Sequence, residues 1–140
     1  MKKFCFIIIA LFLTVATLLI STHDFSGKNI VDTLQVNPTK ITKIVLKVPS
    51  ESDYHHTTDK TKIETLINYL DQVHYKRMQD AESSSMPMKA SIIYLYEEDK
   101  VDFIVPYQKG VMISQKVFKV ENGIIENTFI KQFYDSLDEE

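Results

Sequence analysis

Imidazole and carboxylate groups gather at Asp53, His55, His56 and Asp59, with His74 further along the chain. Such groups ligate divalent metals, and a metal-dependent hydrolytic enzyme using the His55/His56 region is the chemistry they would serve. The spacing works against it. Neighbouring residues of a strand point to opposite sides, so His55 and His56 cannot both join Asp53 on one face. The helical pairs His-x-x-x-His and His-Glu-x-x-His are absent. A polar strand edge followed by a helix cap accounts for the cluster, and no metal or other cofactor is expected.

Nucleophilic catalysis needs a hydroxyl or thiol beside a base. Ser83, Ser84 and Ser85 stand together, but no Gly-x-Ser-x-Gly elbow and no Ser-x-x-Lys motif surrounds them. A loop is the simpler use of that run. Glu97 and Glu98 fall in a hairpin turn, where water holds a carboxyl at its ordinary acidity, and they read as solubilising charges. Gly27, Gly110 and Gly123 are the only glycines, so no phosphate-cradling loop exists. The chain is expected not to be an enzyme.

Three tyrosines have a different use. Tyr94 and Tyr96 share one side of a strand, opposite Ile93 and Leu95, and Tyr107 follows. If the second face of the sheet is uncovered, these rings form a partner-binding platform. The commoner use of a tyrosine body is packing, here under the N-terminal tether or a helix.

The elements that position these residues follow from periodicity. Ile44, Leu46 and Val48 alternate with Lys43, Val45 and Lys47 in a strand over Lys40–Val48. Pro49 to Asp53 is a turn, and Tyr54 to Thr57 fits a short returning strand. Ile63, Leu66, Ile67 and Leu70 make one helical stripe. Asp59, or Thr61 with Glu64, caps that helix. Val73 to Gln79 reads as a strand and Asp80 to Pro87 as a loop. Ala90 to Tyr96 and Val101 to Val105 form an antiparallel hairpin around Glu97-Glu98-Asp99. Short strands are expected at Val111–Ser114 and Val117–Val120, before the turn signal Asn122-Gly123. Phe129, Ile130, Phe133 and Leu137, with Tyr134 on the flank, mark a closing helix. The expected fold class is α+β: an antiparallel sheet of about five strands, two amphipathic helices packed on it, and an apolar N-terminal helix before it.

That leading helix sets the address. Lys2 and Lys3 precede an apolar run from Phe4 to Ile20, a basic head and core typical of export signals. The lysines stay cytoplasmic and the C-terminal side is translocated. The run's 17 residues span roughly 26 Å at the helical rise, just short of the ~30 Å hydrocarbon core. Both a cleaved signal and an uncleaved anchor fit. The expected organisation is 1–22 as signal or anchor, 23–40 as tether, and 41–140 as a single extracytoplasmic domain. Cys5, the only cysteine, stands at the start of the run, where it is one more apolar residue rather than a lipid attachment site.

The 140 residues carry a net charge of −3. Arg77 is the sole arginine, and no lysine cluster offers phosphate a landing site, so nucleic acid is not an expected partner. The run Phe103-Ile104-Val105-Pro106-Tyr107-Gln108-Lys109-Gly110-Val111 resembles the turn after the last hairpin in small exported proteins of Gram-positive bacteria, a family described only as a domain of unknown function. The strand Ile44 to Val48, the step from Asp59 into the helix ending at Leu70, and the basic-then-apolar start are similar too. The resemblance implies a bacterial envelope location and assigns no catalytic residue. Together these readings favour a non-catalytic extracytoplasmic module that binds an envelope protein or peptide, held to the membrane through residues 4–20. A metal-dependent enzyme and a carrier of a small apolar ligand beneath the helices are the alternatives.

Overall fold

The computed structural model describes residues 27–78, 89–107 and 109–139. The expected apolar N-terminal helix, residues 23–26 of the expected tether and the expected Ser83–Ser85 loop fall outside them.

The described residues build an eight-stranded sheet in the order β3-β7-β6-β5-β4-β1-β2-β8, antiparallel at every pairing. The strands are β1 (Lys43–Lys47), β2 (His55–Thr57), β3 (His74–Arg77), β4 (Ile92–Glu97), β5 (Lys100–Tyr107), β6 (Gly110–Ile113), β7 (Lys116–Glu121) and β8 (Asp138–Glu139). Two helices, α1 (Lys60–Leu70) and α2 (Asn127–Asp135), complete the fold. The α+β expectation of about five strands under two helices is therefore corrected. The sheet dominates, and the helices are short, with 11 and 9 residues. The difference has a physical cause. The short segments each became a ladder strand because a neighbour completed their backbone hydrogen bonds, which their own periodicity does not reveal. At β8 two acidic residues are recruited by pairing with His55 and His56.

Local chemistry explains the elements. Asp59 caps α1: its Oδ1 accepts from the Thr61 N–H at 2.8 Å and the Lys62 N–H at 3.4 Å. The stripe Ile63, Leu66, Ile67 and Leu70 is buried. Ile130, Phe133, Tyr134 and Leu137 are buried at the C-terminal end of the chain, while Phe129 stacks on Tyr69 of α1. Ser114 and Gln115, both at positive φ, close the β6–β7 hairpin, the backbone shape that matches strand twist.

Residues 27–40, read from sequence as a tether, are packed against the sheet. Ile30 and Val36 are buried in the core. Lys28 exchanges backbone hydrogen bonds with Tyr75. Two buried carboxylates clasp the same segment. Asp102 Oδ2 accepts the Gln35 N–H at 2.7 Å, and Glu97 Oε2 accepts the Asn37 N–H at 2.7 Å. Glu97 is 6% exposed, so it is no solubilising turn charge.

Alternation divides the sheet into two faces. Ile44, Leu46, Ile93, Leu95, Ile104, Val111, Ile113, Phe118 and Val120 share one core with the buried residues of α1, α2 and the 30–36 segment. Val45 and Val105, buried side chains of the opposite parity, lie outside that core.

Candidate binding face

Strand parity and register assemble the second face. Val45 stands opposite Tyr94, and Tyr94 opposite Phe103. Lys43 pairs with Tyr96, which pairs with Val101. Ile92 pairs with Val105, Val105 with Met112, and Met112 with Val117, by continuation of the same ladders. A band of aromatic and aliphatic side chains thus crosses β1, β4, β5, β6 and β7. Tyr94, Tyr96, Phe103, Met112 and Val117 are half-buried, and Val101 is 56% exposed. Among the described residues, both helices and the 30–36 segment contribute their buried side chains to the other face.

Tyr94 and Tyr96 sit together there, and Tyr54 adjoins them. Partial burial pushes the Tyr94 hydroxyl pKa upward, and the nearby Tyr54 and Tyr96 hydroxyls add to the rise. Tyr107 lies at the end of the same face, where its ring covers the bare backbone of Gly110. Burial raises its hydroxyl pKa too. That contact reserves one side of the Tyr107 ring for packing.

Lysines frame the band. Lys43 Nζ stands 5.9 Å from the Tyr96 ring centre, and Lys47 Nζ 5.2 Å from that of Tyr54, distances at which a cation is drawn to an aromatic face. Lys47 also donates to the Ser52 and Asp53 carbonyls. On the far strands Lys119 pairs with Lys76, and Lys76 meets Glu121 at 4.0 Å. By parity Glu121 on β7, next to the edge strand, and Asp138 on the edge strand β8 are strand carboxylates of this face. The periodicity of the chain foretold the tyrosines. Phe103, Met112 and the two lysines of β1 join them only through register, which no local pattern encodes.

The imidazole cluster is dispersed. His55 turns to the helices: its ring stacks on Tyr134 at 3.9 Å, and Nδ1 donates to the Tyr134 carbonyl at 2.9 Å. His56 takes the other face, where its Nδ1 is enclosed without a hydrogen-bond partner. Asp59 is spent on the α1 cap. His74 Nδ1 meets Asn122 Nδ2 at 3.2 Å. Among the described residues no three His, Cys, Asp or Glu side chains converge on a metal position.

A cleft of about 550 Å³ opens where β1, β4 and β5 meet the start of α2, lined among others by Pro49, Lys89, Pro106, Tyr107 and Lys131. It lies at the end of the sheet, whereas a carrier of an apolar ligand would need its cavity between sheet and helices. Lys131 is held there by Asp135 at 2.5 Å and Glu51 at 3.1 Å, and these hydrogen bonds raise its pKa.

No protein-family model, no curated protein and no solved structure matches this chain, and nothing in those comparisons points to catalysis.

Proposed function

We propose that the chain is a non-catalytic interaction module at the bacterial cell envelope, held at the membrane through residues 4–20. Its extracytoplasmic domain binds a protein or peptide partner on the face that carries Tyr94, Tyr96 and Tyr107. One observation carries the reading: a continuous aromatic and aliphatic band lies on the side of the sheet that neither helix packs against. Buried apolar area is the main source of association energy, and tyrosine contributes such area at little entropic cost. A band rimmed by charge is the surface form that marks a docking site. The address rests on the basic-then-apolar start of the chain.

Site-specific crosslinking tests the role. A photoreactive residue replacing Tyr94 in cells should capture one defined partner, whereas the same group at Asn68, exposed on α1, should not. Equal capture at both positions, or none at position 94, removes the reading. A reporter fused after residue 40 tests the address, and a cytosolic reporter would overturn it.

A further inference from the structure

Chain length decides which edge of the sheet lies nearest a bilayer that holds residues 4–20. The apolar run ends at Ile20, and Gly27 is the first described residue. The steps between them cover at most about 25 Å at full extension, and the headgroup layer takes roughly 5–8 Å of that. Gly27 lies against His74 and Glu121, and Lys28 exchanges backbone hydrogen bonds with Tyr75. The chain therefore leaves the membrane directly onto β3. By strand order β4 stands about 19 Å further out and β8 about 34 Å.

This membrane-side edge has a composition of its own. Lys76 on β3 and Lys119 on β7 stand directly opposite each other. Like charges so placed cost stability, and an anion between them removes the cost. Glu121 reaches Lys76 at 4.0 Å, with both side chains well exposed. Lys119 has no ion pair among the described residues. Lys109, whose carbonyl accepts the Val120 N–H at 2.8 Å, brings a third ammonium group to the same corner. Past the end of β7, Ile124 is 50% exposed. The turn before it is fixed to the start of β3, with Asn122 meeting His74 and Gly123 against Val73. The nearby acids turn elsewhere. The Glu126 N–H meets the Tyr69 hydroxyl of α1, and Asp32 lines a separate recess with Arg77 and Lys116. An apolar tip among lysines suits the membrane interface, with the tip at the acyl boundary and the ammonium groups on phosphates.

From these positions we infer that the β3 edge is a lipid-docking surface. Lys76, Lys109 and Lys119 rest on the anionic phosphates of the bilayer that holds residues 4–20, and Ile124 reaches the acyl boundary. The inference rests on the anchor proposed above and goes beyond it by fixing how the domain stands. Anchoring makes the contact intramolecular, so weak pairs suffice. Each lysine near an anionic surface favours docking about fivefold. The sheet then stands on its β3 edge, and Tyr94 and Tyr96 on β4 face sideways above the headgroups, open to a partner.

The test uses the full-length chain in lipid nanodiscs, one set containing phosphatidylglycerol and one of phosphatidylcholine alone. Each set carries a lipid with a spin-labelled headgroup, and nuclear magnetic resonance reads the paramagnetic relaxation of single amides. In phosphatidylglycerol the amides of Lys76, Lys119 and Ile124 should relax strongly, and those of His56 and Asp138 at the far edge should not. Lys76→Glu combined with Lys119→Glu should cut the docked population at least about tenfold, and Lys119→Gln should cut it less, in the same direction. Tyr94→Ser should change nothing. Salt at about 1 M, where the screening length is about 3 Å, should undock the parent chain without any substitution. Unchanged amide shifts at the far edge show that a variant is folded, and if one is not, the lipid and salt arms decide alone. Equal relaxation in both lipids, insensitivity to salt, or stronger relaxation at Tyr94 than at Lys119 overturns the proposal. A chain that fails to enter the discs overturns the anchor itself, whereas entry without charge dependence removes only the docking.

Discussion

Replacing Asp102 by asparagine is the most informative single change in this fold. The carboxylate is 3% exposed and accepts hydrogen bonds from three donors. The Gln35 N–H donates to Oδ2 at 2.7 Å, and the Phe103 N–H to Oδ1 at 2.8 Å. The Ser114 hydroxyl donates from 2.6–2.7 Å of both oxygens. Asparagine keeps the shape but offers only one acceptor oxygen. Its NH2 group must then face a backbone N–H, either that of Gln35 or that of Phe103. A hydrogen bond to a charged acceptor is worth about 1.5–3 kcal/mol, and a buried donor left alone costs a similar amount. Asp102→Asn should therefore destabilise the domain by about 2 kcal/mol, and Asp102→Ala by about 4 kcal/mol. The assay is urea unfolding of the full chain followed by far-ultraviolet circular dichroism. Amide hydrogen exchange supplies the local readout, with the Gln35 amide exchanging at least about tenfold faster in the variant. Asp99→Asn, in the exposed turn three residues earlier, should cost less than about 0.5 kcal/mol. An Asp102→Asn protein within about 0.5 kcal/mol of the parent, with unchanged exchange at Gln35, would refute the clasp.

Gly110→Ala should cost about 1–3 kcal/mol, because the new methyl collides with the Tyr107 ring, and far less when Tyr107 is first changed to Ser; a double-mutant cycle reads the difference. Tyr75→Phe should lose about 1 kcal/mol, since the fully buried hydroxyl donates to the Leu70 carbonyl at 2.5 Å. The same hydroxyl makes stability depend on alkaline pH. Burial above all, then the Asp71 charge, raises its pKa above the ordinary 10.0. The unfolded chain then loses this proton first, so stability falls as pH rises above about 10, at up to about 1.4 kcal/mol per pH unit. Tyr75→Phe should flatten that alkaline slope in urea titrations by the amount of one proton. Asp59→Ala should cost about 1 kcal/mol through loss of the α1 cap, seen as a lower urea midpoint with unchanged slope.

Helix α1 was legible because its signals are local: a capping aspartate followed by an apolar stripe. The pairing of β4 with β5 was legible for the same reason, two β-prone runs joined by a short charged turn. Orientation within that hairpin was not. Hydropathy in β5 favours Val101, Phe103 and Val105 as the inward set, yet Asp102 shares the core face with Ile104. What tips the parity is Gln35, far earlier in the chain, whose N–H meets the carboxylate. Glu97 is misjudged by the same route, since Asn37 supplies its partner. The histidine pair shows the opposite case. Strand alternation alone separated His55 from His56, and the structure places them on opposite faces. For the tyrosines, sequence supplied the shared side of β4 but left open what covers it. The cover is decided by which face the helices choose, and that depends on the whole core.

A sheet offers a partner two kinds of surface, its faces and its edges, and here the edges are poor hosts. An edge strand binds by extending the ladder, so it needs a run of unpaired backbone groups. On one side the edge is β3, and Lys28 already occupies the outward N–H and C=O of Tyr75, at 2.7 and 3.0 Å. On the other side the edge is β8, only two residues long and acidic in both. Short, charged and partly capped edges are the devices by which sheets avoid strand addition. A partner must then gain its energy from side chains, and the side chains that lie outside the helix-packed core are those of the face bearing Val45, Tyr94 and Phe103. Removing the Lys28 contact by truncation would open β3 to pairing, so the two modes can be told apart. If an intact edge were the docking site, Tyr94→Ser would leave partner capture unchanged; the expected result is that capture is lost.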